Sequence, residues 1–145
     1  MKAYKFRLQK LLDMRVDKEE KCKIQFQQAQ NESFKTKEKL MEMKENYKKY
    51  SNFSGSSSVI EQKIRHIYVN NLSYNIGETA EELNQKEKVV ESKREELKQK
   101  QIDRKTVEIL RDKYIDDFKR EQNRMEQNLN DEFALYGFIR NFKAQ

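Results

Sequence analysis

The segment that decides the fold is residues 8–50, LQKLLDMRVDKEEKCKIQFQQAQNESFKTKEKLMEMKENYKKY. A coiled-coil helix places a seam residue every 3.5 positions on average, in alternating steps of four and three. From Leu8, these steps fall on thirteen positions: Leu8, Leu12, Arg15, Glu19, Cys22, Phe26, Ala29, Ser33, Thr36, Leu40, Met43, Tyr47 and Tyr50. Nine of the thirteen are apolar, which predicts a long helix with one narrow apolar seam.

The second half of the chain carries a similar ladder, interrupted once. Its positions are Ile76, Ala80, Leu83, Glu87, Val90, Arg94, Leu97, Gln101, Arg104, Glu108, Arg111, Ile115, Phe118, Gln122, Met125, Leu129, Glu132, Tyr136 and Ile139. The ladder weakens between Gln101 and Arg111. Apolar residues there shift to Ile102, Val107, Leu110 and Tyr114, a pattern typical of a stutter.

Between the two ladders, apolar residues recur every four positions, at Ile60, Ile64, Tyr68, Leu72 and Ile76. Such a stripe turns slowly around a straight helix and matches neither ladder, so it is read as a separate unit. Few residues break the pattern: the chain has no proline and three glycines. Ser54, Gly55 and the serines up to Ser58 predict a turn, with Ser58 capping a following helix. The Asn- and Ser-rich zone ending at Gly77 is a second candidate break.

These signals predict an all-α fold, a long antiparallel two-helix coiled coil with a short middle helix or kinked segment near the tip. The expected single domain comprises a helix over about 5–52, a Gly/Ser turn at 54–58, a middle segment over about 59–76 and a long helix over about 78–142. If the middle segment forms its own helix, Leu8, Leu11 and Leu12 meet Leu129, Phe133 and Tyr136. The alternative is a continuous second helix whose end docks on a partner.

Composition argues against an enzyme with a buried pocket. The chain is 39% charged and 35% hydrophobic, too few apolar residues for a large core. It holds no phosphate-binding glycine loop, no His or Cys pair at metal spacing and no nucleophile elbow. We therefore expect no catalysis, no cofactor and no metal. A single cysteine and the absence of an apolar leader or membrane span predict a cytosolic protein.

The excess of positive over negative charge is confined to the first third of the chain. Residues 1–50 hold 14 Lys and Arg against 8 Asp and Glu, residues 51–100 hold 8 against 8, and residues 101–145 hold 9 against 9. An excess of lysine suits nucleic acid, but acids interleave the lysines throughout and no recognition motif occurs. An acidic protein surface or anionic lipid explains the excess at least as well.

The opening residues 4–15, YKFRLQKLLDMR, resemble the start of the flagellar export protein FliJ family, which reads aromatic-x-Phe-x-Leu-x-x-Leu-Leu before a charged helix. Three later segments resemble that family too. They are YKKY at 47–50 before the Gly/Ser turn, HIYVNNL at 66–72 in the middle segment, and DEF at 131–133 near the end. The similarity covers essentially the whole chain.

The resemblance implies a non-enzymatic component of the flagellar type III protein export apparatus. In this family the coiled coil is similar to the gamma subunit of rotary ATP synthases and binds inside a hexameric export ATPase ring. It also contacts the cytoplasmic domain of the export gate membrane protein and export chaperones. The expected location is therefore the cytoplasmic face of the cell membrane at the flagellar base, with no nucleic acid and no small-molecule substrate.

Two sets of partner-binding residues follow. Tyr68 and Leu72 match the family's aromatic-x-x-x-Leu gate-binding positions, with Ile76 beside them on that face. The candidate ring contacts lie in the basic first segment: Lys5, Arg7, Lys10 and Arg15. A basic coiled coil that binds nucleic acid or a membrane surface is the alternative function.

Overall fold

A computed structural model describes residues 3–52, 55 and 58–144. It contains two helices, α1 (Gln9–Ser51) and α2 (Val59–Lys143), which pack against each other as a helical hairpin coiled coil. The all-α prediction is confirmed. The chain divides into two compact units, residues 18–101 and residues 1–17 with 102–145.

α1 begins four residues later than predicted, because residues 3–8 take a different conformation. Tyr4 and Phe6 both contact α2, Tyr4 through Phe118 with ring centroids 5.5 Å apart and Phe6 through Tyr114 at 6.3 Å. Side chains two positions apart share a face in extended chain but not on a helix. The alternation of aromatic and basic residues in YKFR therefore favours a non-helical segment, which ends where the Gln9 amide donates to the Phe6 carbonyl.

The seam of α1 confirms the first ladder. Ten of its thirteen positions, from Leu12 to Met43, are buried or half-buried, whereas Leu8, Tyr47 and Tyr50 lie just on the exposed side. Several of the ten are small, including Cys22, Ala29 and Ser33. Small residues leave room for the long side chains that α2 presents.

The seam of α2 departs from the second ladder at alternate positions. Every second predicted position faces the seam, namely residues 76, 83, 90, 97, 104 and 111. The seam positions that alternate with these lie one residue earlier than predicted: Thr79, Lys86, Lys93, Lys100 and Val107. The ladder predicts that Ala80 lies in the seam because it is apolar, but Ala80 is exposed. Lysine stems cover apolar surface while their amino groups reach solvent or polar partners, which counting apolar residues alone does not detect.

Polar contacts between α1 and α2 support this assignment within residues 18–101. Lys86 Nζ donates to Thr36 Oγ1 at 2.9 Å, and Thr36 Oγ1 donates to the Glu32 carbonyl at 3.0 Å. Lys93 Nζ donates to Gln25 Oε1 at 3.5 Å. The two helices run antiparallel here, because Lys86 contacts Thr36 while Lys93, further along α2, contacts Gln25, which lies earlier in α1.

No separate middle helix exists. α2 runs from Val59 through Gly77 as one helix, and a Cβ atom added at Gly77 would meet nothing within 4 Å. The expectation of an independent middle helix is therefore wrong, and the alternative of a continuous second helix is the arrangement present over residues 59–143. The four-residue stripe instead turns around α2 as expected for a straight helix, so that Ile60 and Ile64 are exposed while Leu72 is buried. Ser58 caps α2 as predicted, its Oγ accepting from the Glu61 amide; most of the predicted turn lies outside the described residues.

The stutter predicted near residues 101–111 is present in the unit formed by residues 1–17 and 102–145. The seam of α2 there steps from Val107 to Arg111 to Ile115, two consecutive four-residue steps, before Phe118. Val107 is buried, whereas Ile102, Leu110 and Tyr114 are exposed. Two successive steps of four are what an eleven-residue repeat produces.

Candidate partner-binding surfaces

The N-terminal segment forms a small core against α2. Phe6, Leu12 and Val107 are buried together, and Tyr4 and Leu11 pack against them. Leu12 is only 3% exposed. The predicted contacts of Leu8, Leu11 and Leu12 with Leu129, Phe133 and Tyr136 are therefore wrong, because the first residues of α1 lie beside the Val107 region of α2.

Beyond this core, the end of α2 packs against none of the other described residues of its own unit. We call residues 123–144 the C-terminal end of α2; every residue in it except Gly137 is exposed. Its large apolar side chains are Met125, Leu129, Phe133, Leu135, Tyr136, Phe138, Ile139 and Phe142. The most exposed are Phe133 at 71% and Phe142 at 74%.

The apolar residues of the C-terminal end do not keep to one side of the helix. Residues 133–139 read FALYGFI, seven uncharged residues spanning about two turns. Phe138 and Phe142 stack on one side with ring centroids 6.2 Å apart. A helix that is hydrophobic on all sides is normally a buried one, so this end is built to be enclosed.

The four predicted ring-contact cations lie close to the N-terminal core, and three of them are free to meet a partner. Lys5, Arg7 and Lys10 are exposed, and Lys5 and Arg7 border a groove of about 380 Å³ between the N-terminal segment and Tyr114. Arg15 is half-buried instead, because its Nη1 donates to the Asp103 carbonyl at 2.6 Å. Arg15 therefore serves to join α1 and α2.

The predicted gate-binding residues divide between the seam and the surface. Leu72 is 7% exposed and Ile76 is half-buried, so both pack towards α1. Tyr68 is exposed and meets Tyr50 edge-on, with ring centroids 5.1 Å apart. Of the three, only Tyr68 presents its side chain to an approaching partner.

One turn further along α2, Tyr74 is exposed and donates from its hydroxyl to Glu78 Oε1 at 2.7 Å. This hydrogen bond, together with the negative charge of Glu78, raises the pKa of the Tyr74 hydroxyl above its ordinary value. Both groups lie at the surface, so they form a local feature of the helix rather than an enclosed acid-base site.

Among residues 3–52, 55 and 58–144, no group of three or more His, Cys, Asp or Glu side chains is arranged to hold a metal ion. Cys22 is buried in the seam as a small apolar side chain. In the same part of the chain, neither helix has a stretch apolar enough to cross a membrane.

A comparison with known protein families shows which family the chain belongs to. Residues 4–143 match the family described as Flagellar FliJ protein, which is nearly the whole length. The chain belongs to the FliJ family. As a FliJ-family protein it is a component of the flagellar export apparatus, and the family is not known for enzymatic activity. No curated protein and no solved structure shows a significant match to it.

Sequence reasoning leaves two alternatives for the end of α2, an internal seam and an exposed helix end, and in the structure this end is exposed. The apolar residues at 125–139 suit an internal seam because they continue a 3.5-residue ladder. The signal that distinguishes them is the unbroken run from Phe133 to Ile139, which no two-helix seam can cover on all sides.

Proposed function

We propose that this FliJ-family protein is the central stalk of the flagellar export ATPase, binding inside the hexameric ring and linking it to the export gate and export chaperones. It acts by contact and performs no bond chemistry, while the ATPase supplies hydrolysis. The proposed location is the cytoplasmic side of the flagellar base.

The observation that carries this proposal is the C-terminal end of α2. Phe133, Tyr136, Phe138 and Phe142 are each at least 68% exposed, with Phe133 and Tyr136 on one side of the helix and the stacked pair Phe138 and Phe142 on the opposite side. A flat partner covers one side of a helix and leaves the other in water. A partner that surrounds the helix covers all of them, and the bore of a ring of subunits has that geometry.

The neighbouring charges support the same arrangement. Lys5, Arg7 and Lys10 are exposed in the unit that contains the C-terminal end, and they carry part of the positive excess of residues 1–50. Positive charge in the same unit as this apolar helix end favours a partner whose facing surface is acidic. These three cations remain our candidates for ring contacts, whereas Arg15 holds α1 to α2.

For the export gate, we propose contact through Tyr68, with Leu72 and Ile76 holding its helix against α1. Tyr68→Ser is expected to weaken binding to the gate's cytoplasmic domain while leaving helix content unchanged, since the ring is partly exposed. Binding can be measured by titration calorimetry. Unchanged affinity would remove Tyr68 from the gate contact, and Leu72→Ala serves as a comparison because it is expected to lower stability first.

The stalk proposal is tested with Phe133→Gln, Phe138→Gln and Phe142→Gln combined in one chain. Glutamine is a good helix former, and among the described residues the changes remove only the exposed stack of Phe138 on Phe142, so circular dichroism should change little. Affinity for the hexameric export ATPase, measured by sedimentation, should fall by at least about tenfold, because each phenylalanine buries a large apolar area on binding.

The matched control carries Phe34→Gln, Met41→Gln and Val89→Gln, which remove three exposed apolar side chains from residues 18–101. This control should bind the ATPase as the parent does. Equal binding by the two triple variants would contradict the proposal, as would loss of binding by the control alone.

A further inference from the structure

A second exposed apolar surface lies at the start of α2, more than fifty residues before its C-terminal end. Val59, Ile60, Ile64 and Ile67 are between 60% and 72% exposed, and we call these four residues the tip face. Isoleucine and valine at this exposure are more open to water than any seam residue of α1. They belong to the unit of residues 18–101.

The tip face points away from α1. In the same turns of α2, Arg65, Val69 and Leu72 are the half-buried or buried side chains. Ile60, Ile64 and Ile67 follow the i, i+4, i+7 spacing of one helix face, and their angular positions lie opposite those three. Packing of the hairpin therefore leaves the tip face without a partner among the described residues of its own unit.

The charge around the tip face is positive. Residues 46–77 hold four Lys and Arg against one acid, Glu61, and residues 62–77 hold no acid at all. Lys48 and Lys49 lie in the last turn of α1, and Lys63 stands one position before Ile64. Tyr50 and Tyr68 stack edge-on beside the same surface.

We infer that the tip face binds the surface of an anionic membrane, with the isoleucines entering the boundary between headgroups and acyl chains and the lysines meeting lipid phosphates. An apolar helix face flanked by basic residues is the chemistry that such a surface recognises. Tyrosine suits the same depth, since its ring is apolar and its hydroxyl polar.

The charges beside the apolar face favour lipid over a protein groove. At 100° per residue, Ile60, Ile64, Ile67 and Tyr68 lie within about 100° of the circumference of α2, and Lys63 lies at one edge of this stripe, between Ile67 and Val59. A lysine at the edge of an apolar face can lay its stem along the acyl boundary while its amino group meets a headgroup phosphate. The lack of acids from 62 to 77 fits a partner that is negative along its whole surface.

The test uses the purified full-length chain and flotation with two kinds of vesicle, without ATPase or gate. One kind contains phosphatidylcholine alone, and the other contains phosphatidylcholine and phosphatidylglycerol in equal amounts. The chain should float with the anionic vesicles and not with the neutral ones, and added salt should release it because surface charges are screened.

Two pairs of variants locate the contact. Ile60→Gln, Ile64→Gln and Ile67→Gln together should lower partitioning at least about tenfold, whereas a control with Ile24→Gln, Met41→Gln and Val89→Gln should not. Lys48→Gln with Lys49→Gln should lower it about fivefold per charge removed. The control for these is Lys37→Gln with Lys39→Gln, two exposed lysines from the middle of α1.

Several results would overturn the inference: no flotation with anionic vesicles, equal flotation with neutral ones, or equal losses in a variant and its control. A chain that instead self-associates or binds only an acidic protein through the tip face would also overturn it. Because the ATPase is absent from this experiment, its failure leaves the stalk proposal untouched.

Discussion

Replacing Leu12 and Leu129 by alanine, each in its own variant, tests how α1 and α2 are paired. Leu12 is 3% exposed and packs with Phe6 and Val107, whereas Leu129 is 54% exposed in the C-terminal end of α2. The chemical change is the same at both positions. Only their surroundings differ, so the difference in the free energy of unfolding reports which leucine the folded chain buries.

The expected magnitudes follow from burial. Leu12→Ala removes three buried carbon atoms, and about 0.8 kcal/mol per buried CH₂ gives a loss of about 2.4 kcal/mol. This is at the low end of the roughly 2–5 kcal/mol found for such changes in closed cores, as expected where neighbours border solvent and can close in. Leu129→Ala should change stability by less than about 0.5 kcal/mol, as exposed substitutions generally do.

The assay is urea unfolding followed by ellipticity, with helix content of the folded variants checked first. The midpoint should fall for Leu12→Ala and stay in place for Leu129→Ala, with the same dependence on urea in both. As a further check, Val107→Ala should couple to Leu12→Ala by at least about 0.5 kcal/mol, because the two side chains touch. Equal destabilisation by Leu12→Ala and Leu129→Ala would refute the pairing and restore the alternative in which these leucines meet.

Three smaller predictions follow from single contacts. Gly77→Ala should raise the free energy of unfolding by about 0.5–1 kcal/mol, because Gly77 lies inside a continuous helix with open space around it; a loss in urea unfolding would indicate a kink there. Lys86→Ala should cost about 1 kcal/mol more than Lys86→Met, since methionine keeps the stem that packs in the seam near Thr36; equal costs would deny the stem a role. Glu78→Gln should lower the pKa of the Tyr74 hydroxyl, measured by absorbance titration against a Tyr74→Phe control; an unchanged pKa would contradict the assigned cause. Any stability from this hydrogen bond is present at pH values below the ordinary pKa of tyrosine and is lost as the pH rises through the raised pKa of Tyr74.

The seam of α1 could be predicted from the sequence because its burial follows simple periodicity. Leu12, Phe26 and Leu40 are large apolar residues spaced fourteen positions apart, and they hold the ladder in phase through the small and polar residues between them. The seam of α2 was predicted only in part. Lys86 and Lys93 occupy alternate seam positions, and only contacts with α1 reveal that their stems are packed.

The sequence predicted an antiparallel pair of helices but did not decide between two registers for it, for a physical reason. Assigning Leu129 and Phe133 to an internal seam assumes that a chain covers its own apolar residues. That assumption fails for a protein that completes its apolar contacts with another molecule. The opposite error occurs at the candidate gate site. The motif predicts that Leu72 contacts a partner, but its side chain is buried and packs towards α1.

Hydrogen exchange across the C-terminal end of α2, with and without the hexameric export ATPase, tests the stalk proposal most directly. In the free chain, amides between Met125 and Phe142 should exchange faster than those near Val107, because no partner covers them. Adding the ATPase should slow their exchange strongly on every side of the helix. Protection already present in the free chain, or no change when the ring is added, would contradict the account.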